Sequence, residues 1–537
     1  MVGERVLVVG AGLAGLASAA FLARRGVEVL LVERRSGTSL LPRAVGQNQR
    51  TMELLGFAGI ADDVPGVRPS QTAFPVRVAA TATGPTLREI LPEAVDPRVD
   101  SLSPALIGTL GQEKLEPVLR AHAEKYGAEL CFDTELVSFD QDSDGVTAVL
   151  RWGADTTTVR AAYLVAADGN RSGIRSALGI DRHGPGGLAH NVSIIFDADL
   201  REALAAHPFG LTVLHNDYAP GIFITLDHAI DRHLLSVGYD PAAGQSLESF
   251  TPERCVELIR LVTESPVLQP RIQLIQPWET AAAVADRFRD GRILLAGDAA
   301  KVTPPSGGLG GNTAIGDAYD LSWKLAAVLK TTAGPGLLDT YDAERRPIAD
   351  RVITEALRLL SARTPALADP SVVAEASTTV TEDSSATDRR RLTELVLGFR
   401  YRSSAILAAD PADSEDPYNP TGRPGFRAPH IRLRRDDETF STVDLFGDTF
   451  ALLTGPDGHL WTDAAAQAAE RLRIMLPTHP IGDQLTDIDG DFLRRYGIGP
   501  SGATLIRPDG VIAWRSPETP EHPTDVLIEV LTAILAR

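Results

Sequence analysis

The sequence predicts an α/β protein. A dinucleotide-binding, Rossmann-like βαβ unit comes first, a mixed β-sheet substrate unit is inserted into it, and a separate α/β unit closes the chain. Three observations predict this. Residues 5–35 set an apolar run, a Gly-x-Gly-x-x-Gly turn, a helical stretch and a second apolar run in succession. Residues 181–285 break into short alternating runs typical of strands. Residues 424–537 return to strand and helix patterns over a length that suits a domain of its own.

In chain order, residues 5–9 (RVLVV) read as a buried parallel strand, and residues 16–25 as a helix stopped by Gly26. Residues 27–32 form the second strand, with Glu33 at its end. Residues 69–100 are rich in proline and alternating apolar residues, so they predict sheet or irregular structure, and part of 69–105 is assigned to the inserted unit. Residues 112–126 read as a helix, and 161–167 as a third buried strand leading to Asp168. Residues 292–296 are a further buried strand, followed by a Pro/Gly-rich loop and a long helix expected to begin near Asn312. Residues 361–388, rich in Ser, Thr and Ala, read either as helix ends with a loop or as a linker. The expected division is 1–180 with 286–400 for the cofactor unit, 181–285 for the substrate unit, and 424–537 for the C-terminal unit.

Composition narrows the function. The chain has 537 residues, 52 Lys+Arg against 71 Asp+Glu, and a net charge of −19. So acidic a chain is a poor match for nucleic-acid backbones. No stretch reaches the roughly 18–20 apolar residues of a membrane span, and no signal peptide is expected at the N-terminus. Two cysteines, Cys131 and Cys255, fit neither a zinc spacing nor a disulfide framework, which points to a cytoplasmic protein. The 11 histidines form no HxH or HExxH cluster, so no metal site is expected.

The glycine motif has a mechanical reading. Gly10 permits the strand-to-helix turn, Gly12 lets a pyrophosphate approach the backbone, and Gly15 lets helix and strand pack closely. The free N–H groups and dipole of the helix start meet the phosphate charge. Glu33 can accept ribose hydroxyl hydrogen bonds and would repel a 2′-phosphate, which leaves NAD and FAD.

Two later motifs join it. They are Asp168-Gly169-Asn170-Arg171-Ser172 with Arg175, and Gly297-Asp298-Ala299-Ala300 running on to Pro304–Asn312. With all three in this order, the sequence resembles the class A FAD-dependent aromatic monooxygenases of the para-hydroxybenzoate hydroxylase type, over about residues 4–360. The resemblance implies FAD, bound by Gly10, Gly12, Leu13, Ala14, Gly15, Glu33, Arg34, Arg43, Gln112, Val137, Asp168, Asp298, Pro305, Gly308, Gly310, Gly311 and Asn312. It also implies NADPH or NADH as reductant. Asp298 is expected to accept ribityl hydroxyls, and the helix after the glycine-rich loop to aim its positive end at the flavin pyrimidine. Asp168 has two readings, a part in NAD(P)H use near the flavin or a simple ion pair with Arg171 or Arg175. The family's usual histidine after GDAA is replaced by Lys301, which leaves that position without an implied role.

Within the family the likeness is greatest to aromatic polyketide hydroxylases, particularly the anthracycline (aklavinone hydroxylase) type. Residues 46–55, 297–305, 397–404 and 441–446 carry it. The implied reaction is reduction of FAD by NAD(P)H, formation of a C4a-hydroperoxide with O2, and OH transfer to a phenolic ring of a polycyclic polyketide. Two alternatives remain: Baeyer–Villiger or decarboxylative oxygenation by the same flavin chemistry, and a non-catalytic flavin- or ligand-binding protein. Phe196, Phe223 and Tyr239 are expected to line the substrate pocket. Arg400 and Arg402 are expected either to polarise a substrate oxygen or to sit in a solvated turn. The C-terminal unit resembles a thioredoxin-like domain, but without cysteine it can carry no thiol exchange. A monomer or homodimer is expected.

Overall fold

The computed structural model describes residues 5–39, 46–71, 76–91, 97–205, 210–227, 229–363, 384–407, 412–482 and 484–537. Arg43 and most of residues 361–388 lie outside them.

The first sheet has six strands in the order Arg289–Asp290, Ile293–Leu295, Tyr163–Ala166, Val6–Val9, Val29–Val32 and Glu129–Cys131. All pairings are parallel except the first, at the edge. Helices cover its faces, so its central strands are buried on both sides and are apolar at every position. The helix Leu13–Arg24 packs between the helices Gln112–Lys125 and Leu309–Leu329. Its Ala-rich sequence allows this close approach, and it is buried from Leu13 to Ala23.

Two long antiparallel strands, Arg182–Asp197 and Arg271–Ala285, leave this unit and become the spine of an eight-stranded sheet. Beyond the first of them come Arg232–Tyr239, Gly221–Asp227, Leu211–Leu214, Val76–Ala79 and Thr86–Leu91. Its other edge is Lys301–Val302, the two residues that follow GDAA, which pair with Ala283 and Val284. The sheet is therefore tethered to the third motif. The amphipathic helix Pro252–Val262, capped by the Thr251 side chain, covers one face. Cys255, Leu258, Ile259 and Val262 meet Val192, Ile194, Phe196, Phe223, Leu235 and Val237 there.

The C-terminal unit holds a four-stranded sheet in the order Thr478–Pro480, Ala451–Thr454, Ala503–Ile506, Ile512–Ser516. The first pair is parallel and the others antiparallel, a thioredoxin-like arrangement. The helices His459–Leu472 and Pro523–Ile534 pack on each other beside it. No helix among the described residues is long and apolar enough to cross a membrane.

The long helix starts at Leu309, three positions before the expected Asn312. Gly307 and Gly308 take left-handed backbone, which turns the chain early and places Gly310, Gly311 and Asn312 in the first helical turn.

Candidate active site

The three motifs are far apart in sequence but meet at the C-terminal ends of the first sheet. A Cβ at Gly10 would stand 2.3 Å from the carbonyl oxygen of Ala167, the residue before Asp168. A Cβ at Gly15 would stand 1.8 Å from the Gly10 oxygen. These contacts force glycine by packing. Gly12 is different, because its added Cβ would meet nothing nearer than Glu116 Oε1 at 4.0 Å. The fold does not need glycine there; the space in front of the backbone does. Gly12 caps the helix Leu13–Arg24 with no side-chain hydrogen bond, so Leu13 and Ala14 lie at an open helix start.

Gly297 of the third motif packs on Ala14 of the first. Arg175 of the second donates from Nη1 to the Ala299 oxygen of the third at 2.9 Å, and from Nη2 to the Asn170 oxygen at 3.1 Å. Glu33 accepts the Ala11 N–H at 2.8 Å and the Arg35 N–H at 2.9 Å, which fixes its carboxylate at the mouth of the cradle. Arg34 is exposed beside it. Gln112 donates to Glu116 Oε1 at 2.6 Å, so it too belongs to the cradle wall. The other Glu116 oxygen accepts the Ser39 N–H at 2.7 Å, and burial pushes its carboxyl above the ordinary range. Val137 is half-exposed at a register shift in Thr134–Gln141, a strand whose first residue donates to the Glu33 oxygen.

Asp168 resolves against the simple ion pair. One carboxylate oxygen caps the short helix Gly173–Ala177 through the Ile174 N–H at 3.2 Å, while the buried Oδ1 has no hydrogen-bond partner. Asp298 is exposed at the tip of its turn, immediately after the buried strand Ile293–Leu295. Asn312 ties the far wall: its Oδ1 accepts the Asn48 N–H at 2.9 Å and its Nδ2 donates to the Gly308 oxygen at 2.8 Å. Pro305 and Gly308 are exposed, and Gly310 and Gly311 half-buried, along the same edge. An open helix start, an unpartnered buried carboxylate oxygen and a gap only a missing Cβ keeps clear fit a bound dinucleotide.

Lys301, left without a role by its sequence, is buried and paired with Asp317. Asp317 also accepts the Gly297 N–H at 3.2 Å and Arg345 Nε at 2.9 Å. Lys301 and Asp317 thus hold the GDAA turn against the long helix. Burial lowers the Lys301 pKa, with Asp317 acting in the opposite direction. Sequence reading passed over Asp317 and Arg345, since neither lies in a motif; Glu116 closes the segment 112–116, which shares in the family resemblance, but it was given no role of its own. The signal for Asp317 is a carboxylate within a largely apolar helix, whereas Arg345 lies in a run of charged residues that does not single it out.

The aromatic and arginine candidates for the substrate pocket need correction. Phe196 and Phe223 are buried in the core under the helix Pro252–Val262, and Tyr239 packs against that core and edge-on to Phe250. All three lie on the covered face of the sheet. The reason is parity: Phe196 shares its face with Val192 and Ile194, whereas the opposite face takes Asn191, Ser193 and Ile195. Arg400 is buried over the Phe426 ring and donates to the Ala412 oxygen at 2.6 Å. Arg402 pairs with Asp413 at 2.8 Å. Both fasten the 412–413 segment.

The opposite sheet face is the one sequence reading missed. Register places Leu211, Ile222, Ile224, Leu234 and Leu274 on it, all only partly buried and outside the core clusters.

A cradle shaped for a dinucleotide, joined to an apolar sheet face, defines a cofactor-dependent enzyme working on an apolar molecule. Residues 4–356 match the family described as FAD binding domain, and residues 421–537 match aromatic-ring hydroxylase, C-terminal. The chain belongs to the FAD-dependent aromatic-ring hydroxylases, and is a flavin monooxygenase. It is 47% identical to aklavinone 12-hydroxylase RdmE of Streptomyces purpurascens, with 99% of each chain covered. It is 41% identical to tetracenomycin A2 monooxygenase-dioxygenase of Streptomyces glaucescens, with 99% of this chain and 97% of that one covered. Among solved structures, aklavinone-11 hydroxylase in a ternary complex with FAD and aklavinone superposes with a TM-score of 0.89 at 46% identity, covering 99% of both chains.

Proposed function

We propose that the protein hydroxylates a polycyclic aromatic polyketide of the anthracycline or angucycline kind, with FAD, O2 and NADPH or NADH. The observation that carries this reading is the half-exposed apolar sheet face. It supplies area without a charged clamp at its centre, which suits a large flat ring system held by burial at about 25 cal/mol per Å². The likeness to aklavinone and tetracenomycin oxygenases supports the substrate class.

When bound, FAD supplies two-electron reduction and the transfer of one oxygen atom from O2 to an electron-rich ring. The chain's part is to bind, orient and exclude water. The Gly12 backbone and the N–H groups of Leu13 and Ala14 hold the pyrophosphate, and Glu33 orients the ribose. Arg34, Arg43, Gln112 and Val137 complete the adenosine and phosphate side, and Asp298 accepts the ribityl hydroxyls. The open helix start at Gly308–Asn312 stabilises negative charge that develops beside it. The free Oδ1 of Asp168 is placed to accept a hydrogen bond at the cofactor. The apolar sheet face keeps water from the reacting ring.

We assign residues 1–180 and 286–400 to cofactor binding, 181–285 with part of 69–105 to substrate, and 424–537 to structural support. We read the protein as a cytoplasmic monomer or homodimer. Its free thiols, Cys131 and Cys255, support that compartment.

The test is an assay of FAD-loaded protein with NADPH, O2 and a panel of three- and four-ring phenols and quinones. Expected are substrate-stimulated NADPH oxidation and a product one oxygen atom heavier, with little turnover of para-hydroxybenzoate. Coupled turnover of para-hydroxybenzoate and of no polycycle would overturn the substrate class.

A further inference from the structure

Two polar atoms on the half-exposed sheet face lack partners. Ser236 is 3% exposed, and its Oγ is buried with no hydrogen-bond partner. Trp278 is half-buried, and its indole Nε1 is likewise buried and unpartnered. Both belong to the face away from the helix Pro252–Val262. Ser236 stands opposite Ser193 and Ile222, and Trp278 stands opposite Asn191. Val192, Val237 and Leu235, the alternate positions, all point into the covered core. The assignment of Asn191 to this face agrees with its hydrogen bond to Thr280 Oγ1 at 3.0 Å, since Thr280 lies two residues beyond Trp278 in the same strand.

A buried hydroxyl or indole N–H without a partner is uncommon and costly, and neither atom pairs with Asn191, Ser193 or Gln276, the polar neighbours on this face. Ile222, Ile224, Leu234 and Leu274 form the apolar part of the same face. A flat aromatic molecule lying on them would bring its ring to the aliphatic carbons and its oxygen substituents to the two orphaned groups. We infer that Ser236 and Trp278 are the hydrogen-bonding anchors that read the oxygen substituents of a polycyclic substrate laid on this sheet face. Trp278 can only donate, so it selects a carbonyl or a phenol oxygen; Ser236 donates or accepts. They flank the strand Arg182–Asp197 from either side, on the order of 12 Å apart at the backbone, which matches the long axis of a multi-ring system. The inference rests on the proposed substrate class and adds the residues that fix register within the pocket.

The test measures aklavinone binding to the FAD-loaded enzyme by isothermal titration. The variants are S236A, S236T, W278F and, on the covered face, F223L. S236A and W278F are each expected to weaken binding by about three- to tenfold, with S236T near wild type. FAD occupancy and Tm should stay at wild-type values in these three. Wild-type affinity in S236A or in W278F removes that residue from the site. Losses that follow a fall in Tm, and that F223L reproduces, overturn the inference in favour of a packing role. If wild-type holoenzyme itself binds no polycycle, the substrate class fails, and the inference with it.

Discussion

One helix, Leu309–Leu329, serves two regions built on opposite principles. Its first turn lines the cofactor cradle, which is open, rich in glycine and poor in side-chain contacts. Two turns further on, Asp320 and Lys324 enter a layer of charge sealed between the cofactor unit and the C-terminal unit. There Arg507 forks onto Glu344 at 2.6 and 2.8 Å and also holds Asp509 at 2.5 Å. Lys324 pairs with Asp320 at 2.8 Å and with Glu344 at 2.7 Å. All five side chains are buried. Asp320, Glu344 and Asp509 bring carboxylate oxygens within 4.8 Å of one another, but Arg507 and Lys324 already occupy them, so this is an ion network. Burial pushes Glu344 up, yet Arg507 and Lys324 outweigh it and hold the carboxyl low; burial and Glu344 push Asp320 up to about 7. A second clamp sets Glu53, buried, against Arg427 and Arg50. The cradle shows how a fold leaves room for a ligand. The charge layer shows how a unit without a redox motif is fastened to its neighbour: it supplies arginines that pair with carboxylates buried there.

The largest effect should come from breaking that layer. Arg507→Met leaves Glu344 and Asp509 buried without their main partner, and stability should fall by about 3–5 kcal/mol in urea unfolding. Wild-type stability would mean the network carries no weight. Removing the chain from residue 424 strips Arg427 and Arg507 together, and insoluble protein is expected; soluble, FAD-replete protein would show the two units to be independent.

Next comes a contrast inside the cradle. Gly15→Ala forces a Cβ into the Gly10 oxygen and should cost about 1–3 kcal/mol of stability as well as FAD. Gly12→Ala has room in the protein, so apoprotein stability should hold within about 0.5 kcal/mol while FAD affinity falls at least about tenfold. Equal stability losses in both variants would break the distinction between a packing glycine and a ligand glycine. Asp298→Ala should lower FAD affinity by about 1–3 kcal/mol with an unchanged Tm of the apoprotein.

The smallest effect concerns the root of the substrate sheet. His183, at the start of Arg182–Asp197, bonds Asp286 at 2.7 Å and Asp350 at 2.8 Å, and both carboxylates raise its pKa above 6.5. A raised folded-state pKa stabilises fully below the unfolded value and is lost as pH rises through the folded one. His183→Gln should therefore cost stability near pH 6 and nothing near pH 9. The side chain is half-exposed, so the loss should stay below about 1 kcal/mol. A loss that persists unchanged at high pH would rule out the ionic contribution.

Much of the cofactor half was legible along the chain. A glycine turn between two apolar strands is a local pattern, because turn geometry and strand burial act over a few residues, and residues 6–32 fold in the order read, with the helix starting at Leu13 instead of residue 16 and the second strand at Val29 instead of residue 27. The substrate half was legible as sheet but not as pocket. Aromatic bulk drew attention to Phe196, Phe223 and Tyr239, while a shift of one position separates them from the open face that holds Ser236 and Trp278. Alternation is visible in the sequence, but the strands alone do not say which parity a helix will cover.

By itself, then, the sequence determined the βαβ unit, the three flavin motifs and their order, and the absence of cysteine from the C-terminal unit, since each depends on residue identity at short range. Tertiary structure alone decided that Ala14 meets Gly297, that Arg175 reaches Ala299, that Lys301 is spent on Asp317, and which sheet face stays open. It alone decided that Arg507 neutralises Glu344 across 163 residues of chain. Such pairings follow from how packed layers exclude water: once a carboxylate is buried, only an arginine brought there by the fold can satisfy it, and no local pattern marks which one arrives.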